Sequence, residues 1–283
     1  MNRKNERIAR RFCLTAVLRR LRGASILALQ QTFMARIAVQ IYEIQDPREA
    51  RAVIELGVDR IGSVILHEDS WKVPAIKEAI LFSKGTGTKH SLIPLFNKED
   101  VLYRAIEYYD PSTIHFCESL TDDDGHMVPW EPLVDLQNRV RERFPEIEVM
   151  RSVPIPTPGS SKGIPTLEIA KLFESISDFF LIDTWVGREP VKGYIGITGH
   201  TCDWTTARRL VESSTIPVIL AGGLSPDNVY EGAMATKPFG VDSCTRTNAK
   251  DRAGRPVRFK KDHDKVRVFV AEARRAEKEL SRL

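Results

Sequence analysis

FFLIDTWVG (179–187), GYIGITGHTCDW (193–204), IPVILAGGLSPDNVYEG (216–232) and PFGVDSCTRTN (238–248) follow one another in the chain. Three short apolar runs, 179–182, 217–221 and 239–241, each end in a polar or glycine-rich turn. Two of those turns, at 196–199 and 222–223, present backbone with little side chain. Parallel strands of a barrel offer amide groups to an anion in this way, at their C-terminal ends. The stretch therefore predicts strands of a parallel barrel whose mouth holds a phosphate. Gly199, Gly222 and Gly223 supply amides, Ser243 and Cys244 complete the turn after the last strand, and Arg246 adds a cation.

Outward from this stretch, strand and helix alternate. IAVQI (37–41) is followed by Asp46-Pro47, an N-cap and a first-turn proline, and Gly57 stops the helix. DRIGSVIL, SLIPLF, STIHF and IEVMRSV read as strands two to five. Helices are expected near 74–83, 98–108, 131–143, 166–176 and 203–213, after Ser225-Pro226, and over 262–280. Eight strands with helices between them predict a single (β/α)8 TIM barrel over 34–283. A doubly wound open sheet is the alternative. Two long segments, 121–130 and 154–165, leave the C-terminal ends of strands four and five, where barrel active sites are built.

The charge is uneven. The chain has 283 residues and a formal net charge of +4. Residues 1–36 hold nine Lys/Arg against the single acid Glu6, so the remainder is net acidic and offers no nucleic-acid surface. Residues 1–33 are expected to be a basic N-terminal extension, either a disordered one or the product of a start upstream of the natural one, or else a membrane-surface or transit segment. No apolar run reaches the roughly 20 residues of a membrane span. The cysteines at 13, 117, 202 and 244 form no C-x-x-C pair, which argues against a zinc site and predicts free thiols in a reducing, cytoplasmic setting.

The ordered set IDTWVG, GITGHTCDW, PVILAGGLSPDNV, GVDSCTRTN and KKDHDKVRVFV resembles phosphoribosylanthranilate isomerase of tryptophan biosynthesis. The opening QIYEIQDPREARAVIELGVDRIGSVI resembles that family's first strand and helix. The resemblance implies an Amadori rearrangement of a phosphoribosyl amine, with one acid, one base, and neither metal nor organic cofactor. It places the acid at Asp183. The family's base is a cysteine followed by glycine, and those positions hold Tyr42 and Glu43 here. Tyr42 is the candidate at the base position, although a phenol titrates near 10. Glu43 and Cys117 are alternatives. Because strand neighbours face opposite ways, Tyr42 and Glu43 are not both expected to reach the ligand. Lys72, in LHEDSWKVP, is the one candidate for the family's basic residue after strand two, and His200 and Thr201 flank the site. Three functions stay open at this level: the family's isomerisation, an isomerase, lyase or epimerase acting on another phosphorylated small molecule, and a phospholigand-binding barrel without catalysis.

Overall fold

Asp46 starts the first helix as its sequence context predicts. Its carboxylate accepts hydrogen bonds from the amides of Arg48 and Glu49, and Pro47 occupies the first turn. The computed structural model describes residues 36–283; the predicted extension 1–33 lies outside them. Ile37–Ala276 forms one unit. Its strands are β1 (Ala38–Ile41), β2 (Arg60–Ile65), β3 (Lys89–Pro94), β4 (Thr113–Phe116), β5 (Glu148–Pro156), β6 (Phe179–Trp185), β7 (Val218–Leu220) and β8 (Gly240–Ser243). All are parallel to their neighbours, and β1 pairs with both β2 and β8, so the sheet closes into a barrel. The intervening helices are α1 (Pro47–Glu55), α2 (Pro74–Lys84), α3 (Glu99–Tyr109), α4 (Glu131–Arg143), α5 (Thr166–Phe173), α6 (Trp204–Ser213) and α7 (Val229–Thr236). The last helix, α8, is His263–Leu280. All eight predicted strands are present, in the predicted order.

Alternate residues face inward, as the period of two requires. Outside the sheet, Ile65, Ile76, Ile80, Leu92, Leu102 and Ile114 are among the buried residues between the strands and α2 to α4. Each fully buried side chain of this kind contributes about 1.5–3 kcal/mol. Inside, the lower end of the barrel is polar. Arg60 donates to Gln40 Oε1 (3.2 Å), Thr113 Oγ1 (2.6 Å) and Glu148 Oε2 (3.1 Å). Above this plug lie Tyr42, Met150, Leu181, Ile219 and Ala221, the apolar floor of the mouth.

Three elements depart from the sequence reading. β5 continues through Pro154 and Pro156, which pair with Asp183 and Trp185. Both proline carbonyls bond outside that ladder, to Thr166 Oγ1 and the Asp203 amide, so the missing N–H groups face a side where β4 has already ended. α7 begins at Val229 rather than at Ser225-Pro226. Asn228 folds its side chain back onto the Ser225 amide and the Gly223 carbonyl, which makes 225–228 a closed turn. Between β8 and α8 stands an unforeseen antiparallel hairpin, β9 (Asn248–Lys250) and β10 (Pro256–Lys261).

Candidate active site

The turns after β6, β7 and β8 converge. Gly199, Gly222, Gly223, Ser243, Cys244 and Arg246, all predicted from sequence, line one chamber together with Asp183 and Thr245. Its open volume is about 350 Å³. The glycines here have a packing reason as well. A Cβ on Gly223, at φ +58°, would lie 2.6 Å from the His200 carbonyl carbon, so two turns pass backbone against backbone. Arg246 is partly committed: its Nε and Nη2 both donate to the Gly199 carbonyl, at 2.9 and 2.6 Å, tying the turn after β6 to the turn after β8. Thr245 Oγ1 is buried with no hydrogen-bond partner. A buried hydroxyl left unpaired is costly, and an anion in the chamber would satisfy it.

A second chamber, of about 580 Å³ open volume, adjoins the first. Asp183, Ile197, Asp242 and Cys244 belong to both. Its walls are mainly aliphatic, with Val64, Ile93, Leu95, Leu181, Val191 and Ile195, and Tyr194 closes one side. The segment carrying Val191 to Ile197 is fastened over the barrel by backbone hydrogen bonds, Ser119 N to Gly193 O at 2.8 Å and Ile195 N to Cys117 O at 2.9 Å.

Two carboxyls stand at the junction. Asp183 lies two residues before the end of β6; the Thr184 amide donates to its Oδ1 at 2.9 Å. Burial, reinforced by the charge of Glu189 and opposed by the Thr184 amide, pushes Asp183 up to about 7. Asp242, on β8, accepts from Gln40 Nε2 at 3.1 Å. Burial, with Asp183 adding repulsion and Gln40 opposing, pushes it up to about 8. Both carboxyls therefore change charge near neutral pH, the range that acid–base chemistry uses.

A family model for N-(5'-phosphoribosyl)anthranilate isomerase matches residues 144–246, the half of the barrel that carries Asp183 and the glycine turns. N-(5'-phosphoribosyl)anthranilate isomerase 2 of Methanosarcina mazei is 36% identical over 141 residues, 50% of this chain and 55% of that one. The Methanosarcina acetivorans isomerase is 26% identical over 242 residues, covering 83% of this chain and 92% of that one. The chain is similar to phosphoribosylanthranilate isomerases along much of the barrel. It spans about half the length of the first curated relatives it matches. A crystal structure of phosphoribosyl anthranilate isomerase in complex with reduced 1-(o-carboxyphenylamino)-1-deoxyribulose 5-phosphate has the same fold, with a TM-score of 0.58 and 19% identity over 84% of this chain and 98% of that one.

Against the phosphoribosylanthranilate isomerase pattern, the strand-one end is rebuilt. Tyr42 does not present a free phenol. Its ring lies over Gly62, where a Cβ would come within 2.0 Å of Cε1, and its hydroxyl is 2.6 Å from His115 Nδ1. Burial, with the Asp242 charge, raises the phenol well above its ordinary value, the direction opposite to that needed by a base at neutral pH. His115 is itself buried, hydrogen-bonded to Ser152 Oγ at 2.9 Å, and lowered to about 3, so it is neutral. Tyr42 thus packs in the floor of the mouth with its hydroxyl engaged by His115.

Glu43 also lines the second chamber, contrary to the strand alternation rule. β1 ends at Ile41, and Glu43 takes φ +64°, a conformation in which its side chain leaves the strand pattern. It is held by Arg258 Nε at 2.7 Å and Asn248 Nδ2 at 3.2 Å, both from the hairpin. Lys72 does not line either chamber; its ammonium lies over the rings of Trp71 and Tyr108. Cys117 lines the second chamber, but burial, with the charges of Glu118 and Asp183, raises its thiol well above the ordinary value. The His200 side chain lines neither chamber, and its carbonyl accepts from Thr184 Oγ1 at 2.6 Å.

Sequence reasoning missed Asp242, Thr245 and Arg258. Asp242 was within reach, because it lies one position before Ser243 and two before Cys244, on the inward parity. Arg258 was not, since nothing in 248–261 announces that a hairpin will return to the barrel mouth.

Proposed function

We propose that this protein is an aldose–ketose isomerase of the phosphoribosylanthranilate isomerase type, acting on a phosphoribosyl amine. The observation that carries the reading is the place of Asp183: a carboxyl poised near neutrality at the junction of an anion chamber and an apolar chamber. The phosphate occupies the first chamber, against the amides of Gly199, Gly222 and Gly223 and the Thr245 hydroxyl, and the amine substituent occupies the second. The pentose then spans the junction. The ligand of the solved relative, with a phosphate at one end and an arylamine at the other, is of the kind that two such chambers would hold.

Asp183 in its acid form gives its proton to the ring oxygen as the C1–O bond breaks, and nitrogen supplies the electron pair of the resulting iminium. A base takes the C2 proton; the C–H pair forms the C1–C2 double bond and the iminium pair returns to nitrogen. The enol tautomerises to the 2-ketone. The apolar walls exclude water and keep the iminium from hydrolysis. Tyr42, as a neutral phenol, shapes the floor under the sugar.

A second reading keeps the reaction and changes the amine substituent. Arg258, among the charged residues lining the second chamber, is spent on Glu43, and Asp183 and Asp242 share the cavity. A substituent without a carboxylate suits this balance better than anthranilate. Purified protein given N-(5-phosphoribosyl)anthranilate, followed by loss of its fluorescence, tests the first reading, together with rescue of a tryptophan auxotroph lacking the isomerase. Turnover that falls by about a hundredfold or more in Asp183→Asn is expected. Turnover only of a phosphoribosyl amine lacking the carboxylate selects the second reading, and turnover of neither refutes both.

A further inference from the structure

Asp183 aside, all but one of the cavity's groups able to accept a proton from carbon are committed elsewhere or held protonated: both His115 ring nitrogens are hydrogen-bonded, and burial raises the Tyr194 phenol and the Cys244 thiol. Tyr42 bonds His115 and lies against Gly62. Glu43 is held by Arg258 and Asn248. Cys117 is an enclosed thiol at the end of β4, raised by burial. The remaining one is Asp242. It lines both chambers, as Asp183 does from β6. The only hydrogen bond to its carboxyl among the described residues is from Gln40 Nε2 to Oδ1, and the carboxyl makes no ion pair there. Gln40 cannot flip, because its own oxygen accepts from Arg60 Nε at 3.2 Å, and Arg60 is fixed by Thr113 and Glu148. The amide therefore keeps its N–H₂ toward Asp242 and leaves Oδ2 for the cavity. Such a fixed donor orients a reactive carboxylate without neutralising it.

We propose that Asp242 is the catalytic base of this chain, taking the C2 proton in place of the thiol that the family's first strand carries and this one lacks. The inference rests on the isomerisation proposed above. In the step, Asp242 Oδ2 accepts the proton from C2, the C–H electron pair becomes the C1–C2 double bond, and Asp242 ends the step as a carboxylic acid. Asp183 has by then given its proton to the ring oxygen and ends as a carboxylate. The pair has exchanged one proton between its members, and transfer through the released ring hydroxyl or water restores the starting state. The two carboxyls are coupled, since the Asp183 charge helps to raise Asp242, and the reactive form of the pair is the one with the proton on Asp183 and Asp242 ionised. The charged or titratable groups facing Asp242 are Asp183 from β6, Lys261 from β10, Tyr42 beyond β1, and Cys244 after β8.

The test compares Asp242→Asn with the parent and with Asp183→Asn. Asparagine keeps the shape and still accepts from Gln40, so folding is expected to survive, which circular dichroism and thermal melting check. The expected result is a kcat at least a hundredfold lower, a KM within a few-fold, and loss of one limb of the pH–rate profile. Asp242→Glu, which keeps a carboxylate at a shifted position, should recover part of the rate. A second readout needs no substrate: carbon-13 NMR titration of the aspartate carboxyls. Asp242 should titrate well above the ordinary carboxylate range in the parent and lower in Asp183→Asn. Turnover of Asp242→Asn within a few-fold of the parent overturns the proposal. So does an Asp242 carboxyl that titrates in the ordinary range and ignores Asp183. A parent that turns over no phosphoribosyl amine refutes the reaction instead; the titration then decides, with an uncoupled Asp242 overturning the pair and a coupled one sustaining it.

Discussion

Tyr42→Phe separates a packing residue from a proton carrier. The substitution removes one oxygen and keeps the ring that lies over Gly62. The lost hydroxyl is 2.6 Å from His115 Nδ1, and Tyr42 and His115 are only 4% and 2% exposed. His115 Nε2 remains bonded to Ser152, so Nδ1 alone is stranded. A buried polar atom left without its partner costs about 1–3 kcal/mol. In a barrel of this size, 1 kcal/mol moves the melting temperature by about 2–4 °C, so a fall of roughly 4–8 °C is expected for the middle of that range. Turnover, by contrast, should stay within a few-fold, and the pH–rate profile should keep its shape. Melting by differential scanning fluorimetry and initial rates on the same sample make the comparison. A kcat reduced a hundredfold or more with an unchanged melting temperature would refute the reasoning and restore Tyr42 as the proton carrier.

Gly62→Ala should destabilise by about 1–3 kcal/mol or more in denaturant titration, since the new methyl meets the Tyr42 ring; the loss should shrink in a Tyr42→Leu background, and strict additivity would disprove the contact. Thr245→Val should weaken a phosphorylated ligand by about ten- to a hundredfold, the scale of a hydrogen bond to a charged group, and leave its dephosphorylated analogue unaffected; equal losses in calorimetry would remove Thr245 from the anion site. Asp183→Asn should also change how stability depends on pH. The folded carboxyl titrates near 7 against about 3.8 unfolded, so the folded state binds the extra proton between those values. The stability contributed by the acid form is complete below about pH 4 and is lost as pH rises through 7, on the order of a few kcal/mol in all. The melting temperature of Asp183→Asn should therefore gain on the parent between pH 5 and 8; parallel curves would show that the carboxyl is not shifted.

The barrel was legible because its signals are local. Apolar runs of strand length, Asp46-Pro47 at a helix start and Gly57 at its end act through neighbours a few residues away. The anion chamber was legible for a related reason: consecutive strands of a parallel barrel end on one face, so turns after β6, β7 and β8 must meet. Asp183 was readable from the resemblance of its IDTWVG context to the isomerase family. The base was not, because identity at one position does not tell what surrounds it. Tyr42 stands where a reactive group is expected, yet its role depends on Gly62 and His115, 20 and 73 residues away. Glu43 escapes strand alternation because a backbone angle is set by contacts to Asn248 and Arg258, more than 200 residues on. The sequence by itself determined the order of strands, the Asp46 helix cap and the glycine turns, all products of short-range sterics and hydrogen bonding. Only the tertiary structure decided which carboxyls are shielded from water, which are tied to a cation and which face the cavity, because desolvation and pairing are properties of the whole surrounding and not of the residue.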